Sequence, residues 1–556
     1  VARTELTGLL RRIHAAYREA QRTGVPADEI FEHRAQALPR QRFLAQAAGA
    51  SAALVTSAAW PLRSVAVQPR ALGSNRQAPR VAIVGGGMAG VTCAYRLMQA
   101  GIASSVYEAG GGLGGRTWTL RGFFDEGQTA ENGGEFISSE HTAMRHLAAE
   151  LGLTLDDLRA WDKLQGGYED IYWVHGRRYP VHDMLHDYAA VFPKLEQANA
   201  AAGVTRYDHH NQAGYELDHM SVRQWIERNV PGGVQSKIGW LLDIDATTEN
   251  GGESTVQNSI ELIYMLADMP GYNPHGGFYL VGTDERYRVR DGNDQIVARM
   301  AKQLPATSIH TSTRLQALRR RSDGSYTCTF SSPQQTFDVV ADHVVLALPF
   351  KTLRDCELSH AGFSDVKMKA IDQLPMGTNT KLHAQFTQRA WFKQRSNAAT
   401  YSDTGYQQTW EDTRAQAGTA GVLVDYTGGT AGASFDAPSF GPAAPTLVHR
   451  FLGQLEPVFP GISALWNGKA FLDNWTRDRW HRGSYSYWGL GNCTTFVGIE
   501  PVRQGNVHFC GEHCSLDFGG FMEGAARTGE AAAAEVIHTV TGARSAAAPH
   551  VSRHAV

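Results

Sequence analysis

The chain has 556 residues, 42% of them hydrophobic and 19% charged, with a formal net charge of −3. That balance offers no basic surface for nucleic acid and no charged tail, and no uninterrupted apolar run reaches the roughly 18 residues of a membrane span. The six cysteines, Cys93, Cys328, Cys356, Cys493, Cys510 and Cys514, are too sparse for a disulfide framework and read as buried thiols in a reduced compartment.

At the start of the chain, Leu6, Leu9, Leu10, Ile13 and Tyr17 fall at helical spacing among charged positions. They predict an amphipathic helix docked on a globular core. Arg40, Arg42, Phe43 and Leu44, followed by a small-residue stretch, resemble a twin-arginine export signal, although Gln41 stands between the arginines. Residues 1–78 therefore read as a helical, signal-like segment. The chain is expected to be cytoplasmic or exported by a degenerate signal.

From Pro79 the texture changes. Val81–Val84 is a short apolar run, Gly85-Gly-Gly-Met88-Ala89-Gly90 a turn, and a helical stretch then runs through Leu97 to a second strand, 105–107, that ends in Glu108. Strand, glycine turn, helix and strand make a βαβ unit. Gly85, Gly87 and Gly90 form G-x-G-x-x-G in the context that gives it meaning. Gly85 allows the tight turn, Gly87 lets backbone approach a pyrophosphate, and Gly90 lets helix and strand pack closely. The helix N-terminus offers free N–H groups to phosphate. Glu108 can accept ribose hydroxyls. This unit alone leaves NAD and FAD both open.

Further along, residues 144–151 and 222–230 are helical in pattern. Residues 310–349 read as strands, and 418–444, rich in Gly, Ala, Ser and Pro, read as a loop. The tail beyond Val540 is expected to fray.

Directly after the acid comes Gly111-Gly-Leu-Gly114-Gly115-Arg116. Near the other end, Gly511-Glu512 precedes Gly519-Gly520-Phe521-Met522-Glu523-Gly524. Together with the first fingerprint, these resemble the signatures of the flavin amine oxidase family, the monoamine oxidase and L-amino-acid oxidase type. The resemblance runs over about residues 79–543. It implies an α/β fold of two domains: a doubly wound, Rossmann-like FAD-binding domain from 79–138, 272–356 and 473–543, and an α+β substrate domain from 139–271 and 357–472, with 544–556 as a tail. It also implies FAD as cofactor, held by Gly85, Gly87, Met88, Ala89, Gly90, Glu108, Gly114, Gly115, Arg116, Gly133, Gly134, Glu135, Phe136, Leu315, Gly511, Glu512, Gly520, Phe521 and Met522.

Lys381 resembles the family lysine that holds a water near flavin N5. Ser484 stands where monoamine oxidases carry a flavin-linked cysteine, which implies noncovalent FAD. Tyr485 and Phe521 then become the walls of an aromatic cage, with Lys381 the third catalytic candidate. Substrate contacts are expected from Glu135, Trp475, Tyr485, Trp488 and Phe521.

The Glu131–Ile137 segment lacks the arginine with which many L-amino-acid oxidases hold a carboxylate, so Arg286 or Arg288, in the segment Asp284-Glu-Arg-Tyr-Arg288, is the candidate for that role, with Arg286 taken as the substrate contact. The expected reaction is oxidative deamination of an L-amino acid, with a bulky hydrophobic or aromatic side chain, to the 2-oxo acid, ammonia and H2O2. A monoamine oxidase on a primary amine is the alternative, and a desaturase, monooxygenase or structural FAD-binding protein a further one. Partners are then a small amine or amino acid and O2, with a homodimer possible.

Overall fold

The computed structural model describes residues 4–34, 78–267 and 284–542. The signal-like arginine pair and the tail beyond 542 lie outside them. Among the described residues, five strands form one wholly parallel sheet, in the order Val507–Phe509, His343–Leu346, Val81–Val84, Ser104–Tyr107 and Ile309–His310. Numbered along the chain this is 5-4-1-2-3, the doubly wound order whose ligand crevice opens at the carboxyl ends of the first and fourth strands. Val81–Val84 is buried at every position, as a central parallel strand covered on both faces must be.

The helix Met88–Gln99 leaves the first strand and packs on the helix Met522–Thr541. Gly85 holds φ 106, outside the range of ordinary residues, and a methyl on Gly90 would overlap the Gly85 carbonyl oxygen. Both glycines are therefore required by backbone geometry.

A second sheet, mixed in direction, contains eight strands among the described residues. Its middle runs Trp466–Asn474, Thr380–Phe386, Gly421–Thr427, Gln408–Glu411 and Ser396–Ser402. The segment expected as a loop, 418–444, instead supplies one of these central strands and the edge strand Phe440–Pro442. The reason lies in Val422, Leu423 and Val424, all fully buried. Glycine-rich flanks had masked an apolar run of the length a buried strand needs.

Helices between 181 and 267 pack around a third core, and the N-terminal helix Glu5–Thr23 completes it with Leu6, Leu9, Leu10 and Ile13. The docked helix expected from the sequence is thus present. Thr4 caps it by accepting from the Thr7 amide at 3.1 Å. Thr4 and Thr7 hydroxyls both donate to Asp245, at 2.9 and 2.8 Å, which pins the helix start to the helix Lys237–Asn250. His14 sits between Glu196 (2.8 Å) and Tyr188 (3.1 Å). No helix among the described residues is long and apolar enough to cross a membrane.

Ile13 is wholly buried, so Ile13→Ala is expected to cost about 2–5 kcal/mol in urea unfolding. A loss under about 0.5 kcal/mol, the size of an ordinary surface change, would show that the helix does not dock.

Candidate active site

One cavity of about 740 Å³ runs from the glycine turn of the first sheet to the second sheet and the N-terminal helix. Its size is that of a well-formed ligand site. At one end lie Gly85, Gly87, Met88, Ala89, Glu108, Gly114, Gly115, Arg116 and Leu315. Gly90 stands behind this wall, where it lets helix and strand approach. The helix Met88–Gln99 has no side-chain cap, so its first N–H groups are free for an anion. Glu108 accepts from the Gly86 and Gly110 amides at 2.7 and 2.6 Å. These bonds fix the carboxylate, whose remaining lone pairs suit ribose hydroxyls.

The middle of the cavity is lined by Gly133, Gly134, Gly511, Glu512, Gly520, Phe521 and Met522. Arg116 donates to Glu512 at 2.7 Å and to the Ser484 carbonyl at 2.7 Å. Glu512 also accepts from the Ser486 hydroxyl and the Gly520 amide, at 2.8 and 2.9 Å. Burial alone would raise its pKa. Arg116, His513 and Ser486 outweigh that and hold it near 2, so the carboxylate stays ionised and clamps the two glycine-rich segments together. An uncapped helix end, glycine walls and a fixed acid are what a dinucleotide requires, and the residues present fit FAD. Ser484 donates to Asn379 at 2.6 Å. The cavity's cysteine, Cys356, lies at the Leu315 end, its thiol 3.2 Å from the Leu315 carbonyl.

Lys381 is 6% exposed. Its ammonium donates to the Glu131 carbonyl (2.7 Å), the Gly133 carbonyl (3.0 Å) and the Glu135 carboxylate (2.9 Å). Burial pulls its pKa down, but Glu135, Asp412 and Asp473 more than compensate and leave it above the usual lysine value. The Trp410 indole donates to the same Glu135 carboxylate at 2.9 Å. Two residues along the strand, on the same face, His383 donates to Asp473 at 2.8 Å. Its other nitrogen lies 3.2 Å from Asp412, close enough for ion pairing but off the line of a hydrogen bond. Burial lowers the His383 pKa, yet the two carboxylates carry it up to about 9. Arg288 pairs with Asp412 at 2.9 Å. Three cations thus face Glu135, Asp412 and Asp473, a balance that such a buried cluster must keep.

Beyond Lys381 the cavity opens into a chamber. Tyr485 and Phe521 line it, as do Trp410, Tyr426 and Phe136, which pattern reading had not assigned to a substrate wall. The Tyr426 and Tyr485 hydroxyls lie 2.6 Å apart, and Trp410 packs on Tyr426 with ring centres 4.9 Å apart. Trp475 also lines the cavity and donates to the Asn132 carbonyl at 2.9 Å.

Two expectations need correction. Arg286 is not on the cavity wall. Its guanidinium is bound by Asp157 at 2.6 and 2.9 Å and stacks on Tyr287. Trp488 packs into the core beneath the first sheet, its amide held by Glu261 at 3.0 Å. The chamber's cation is Arg414, 3% exposed, over the Phe136 ring and 3.3 Å from Asp162. With it on the far wall stand Glu5, Glu285, Asn397 and Gln408, so the wall is polar where a bulky hydrophobic side chain had been expected. Sequence offered little warning. The segment 284–288 had been singled out, but the arginine was chosen and not the neighbouring Glu285. Glu5 belongs to a helix far away in the chain.

The model of the family described as flavin containing amine oxidoreductase matches residues 88–537. The chain belongs to this family. The YobN protein of Bacillus subtilis (strain 168), which carries an L-amino-acid oxidase name, is 23% identical over 491 residues, 84% of this chain and 96% of that protein. Polyamine oxidase 1 of Zea mays is 22% identical, over 81% of this chain and 89% of its own. The structure of cyclohexylamine oxidase from Brevibacterium oxydans IH-35A superposes with a TM-score of 0.70 at 21% identity, covering 84% of this chain and all of that one, 100%. That likeness shows the shared two-domain fold. The chain is accordingly an FAD-dependent amine oxidoreductase.

Removing the ammonium strands a buried carboxylate, so Lys381→Met is expected to lower stability by about 3–5 kcal/mol. Adding Glu135→Gln should restore part of the loss. A double variant no more stable than the single one, in denaturant titration of the holoprotein, would show that the pair is not the source.

Proposed function

We propose that the chain oxidatively deaminates an L-amino acid to the 2-oxo acid, with ammonia and H2O2 as the other products. The observation that carries this reading is Arg414, a buried guanidinium in the wall of the chamber beyond Lys381. Burying such a cation at a ligand cavity is costly unless it meets anions. A planar fork of donors suits a carboxylate. Asp162, Glu5, Glu285 and Glu135 keep it charged against the cost of burial.

FAD, when bound, accepts the two electrons and the hydrogen from the substrate α-carbon and returns the electrons to O2. The protein's part is placement and electrostatics. Tyr485, Phe521, Trp410 and Tyr426 form flat walls that leave a slim path for the amine and exclude water from it. The Tyr426–Tyr485 hydroxyl pair fixes those two rings relative to one another. Lys381 keeps a positive charge at the base of the chamber, where negative charge on oxygen would be stabilised. Its three acceptors hold that charge in place, so a water would share the ammonium with protein groups.

Oxidation of a primary amine is the second reading. It is favoured by the 3.3 Å contact between Arg414 and Asp162, which already gives the guanidinium a counter-ion.

Oxygen uptake, ammonia and peroxide measured with matched L-amino acids and their decarboxylated amines separate the two readings. Arg414→Met is expected to raise KM for the amino acids about 10- to 100-fold, the worth of a charge-assisted hydrogen bond, and to affect the amines less. Turnover of amines alone would overturn the amino-acid reading.

A further inference from the structure

The chamber holds a carboxylate, Glu285, to which the reaction as derived assigns no contact with the substrate. Glu285 is 8% exposed and lines the cavity. No donor or cation among the described residues lies within hydrogen-bond or ion-pair distance of its carboxylate. Its backbone is held at φ 41, a conformation that costs a residue with a side chain and persists only where the surroundings impose it. The imposing contacts are visible. Asp284 accepts from the Ser139 amide and hydroxyl at 2.8 and 2.7 Å, and the Glu285 amide donates to the Ser138 hydroxyl at 3.3 Å.

A second unused acceptor lies on the same wall. Gln408 is 6% exposed, and its amide nitrogen donates to the Tyr401 hydroxyl at 2.7 Å, which leaves its buried carbonyl oxygen without a donor. The third group is Glu5, in the first turn of the N-terminal helix. That helix precedes the family match, which starts at residue 88, so this part of the wall is a feature of this chain's own N-terminus. Arg414 pairs with Asp162 at 3.3 Å and with Glu5 at 4.0 Å, so it offsets the charge of Glu5 in part and leaves Glu285 and the Gln408 carbonyl as the acceptors without a donor.

Buried acceptors without donors are costly unless a ligand supplies the donors. No group of three or more metal-ligating side chains occurs among the described residues, so the acceptors suit an organic cation and not a metal ion.

We infer that Glu285, with Gln408 and Glu5, forms the subsite for a cationic group, an ammonium or a guanidinium, at the far end of the substrate. This rests on the reading of the cavity as an amine-oxidation site. It specifies the substrate as a basic amino acid, or a diamine if the carboxylate is not required. Burial and the nearby Glu5 raise the Glu285 pKa well above the usual range, and Arg414 offsets this only in part.

The test compares kcat/KM for two isosteric pairs in the holoenzyme, L-lysine against L-2-aminoheptanoate and cadaverine against hexylamine. The cationic member is expected to be preferred by at least about tenfold in one or both pairs. Glu285→Gln is expected to collapse that ratio through KM, and Glu5→Gln to reduce it less. A preference confined to the amine pair would remove the carboxylate role of Arg414 and leave the subsite standing. A ratio of about one or below in both pairs, or no turnover of any of the four, overturns the proposal. So does a Glu285→Gln enzyme that retains flavin and keeps the wild-type ratio. The wild-type ratios decide the matter if Glu285→Gln fails to fold.

Discussion

The ammonium of Lys381 is the point through which the two halves of this molecule are joined. It stands on a central strand of the mixed sheet, yet all three of its acceptors belong to the glycine-rich segment 131–135 that borders the cofactor crevice. A charge buried this deeply persists only if its partners are close and well placed. The requirement propagates outward. Glu135 needs the Trp410 indole, Asp412 needs Arg288, and Asp473 needs His383. That chain of ions ties the mixed sheet to the segment bordering the cofactor crevice. The candidate substrate chamber is the space left where aromatic side chains cover it.

The cofactor end was legible in the sequence because backbone geometry constrains residue type there. Gly85 must take a positive φ and Gly90 must lack a Cβ. An acid at Glu108 must end the second strand. Such constraints are local, so spacing along the chain reports them. The C-terminal Gly511–Met522 signature was readable for the same reason, and the structure brings it against Arg116.

The substrate end was not legible in this way. Its wall is assembled from Glu5, Glu285, Gln408 and Arg414, which come from a helix, a loop and a sheet separated by hundreds of residues. Nothing in any one of those segments sets a charged cavity residue apart from a charged surface residue. Arg286 and Arg414 show the difficulty. Asp157 holds the first away from the cavity wall and Asp162 holds the second within it. The strand at Gly421–Thr427 was hidden differently, because flanking glycines gave a loop-like composition to a buried run of three aliphatic residues.

An N-terminal helix outside the family match that nevertheless supplies a wall of the chamber separates two sources of behaviour. The cradle and the lysine network fit an amine oxidoreductase, and the proposed choice of amine rests on the far wall. The most direct measurement is the absorbance of the purified yellow holoprotein during anaerobic addition of L-lysine. The account predicts that the flavin bands bleach and that admitted O2 restores them with release of peroxide. Protein that binds no flavin, or flavin that no amine or amino acid bleaches, would contradict it.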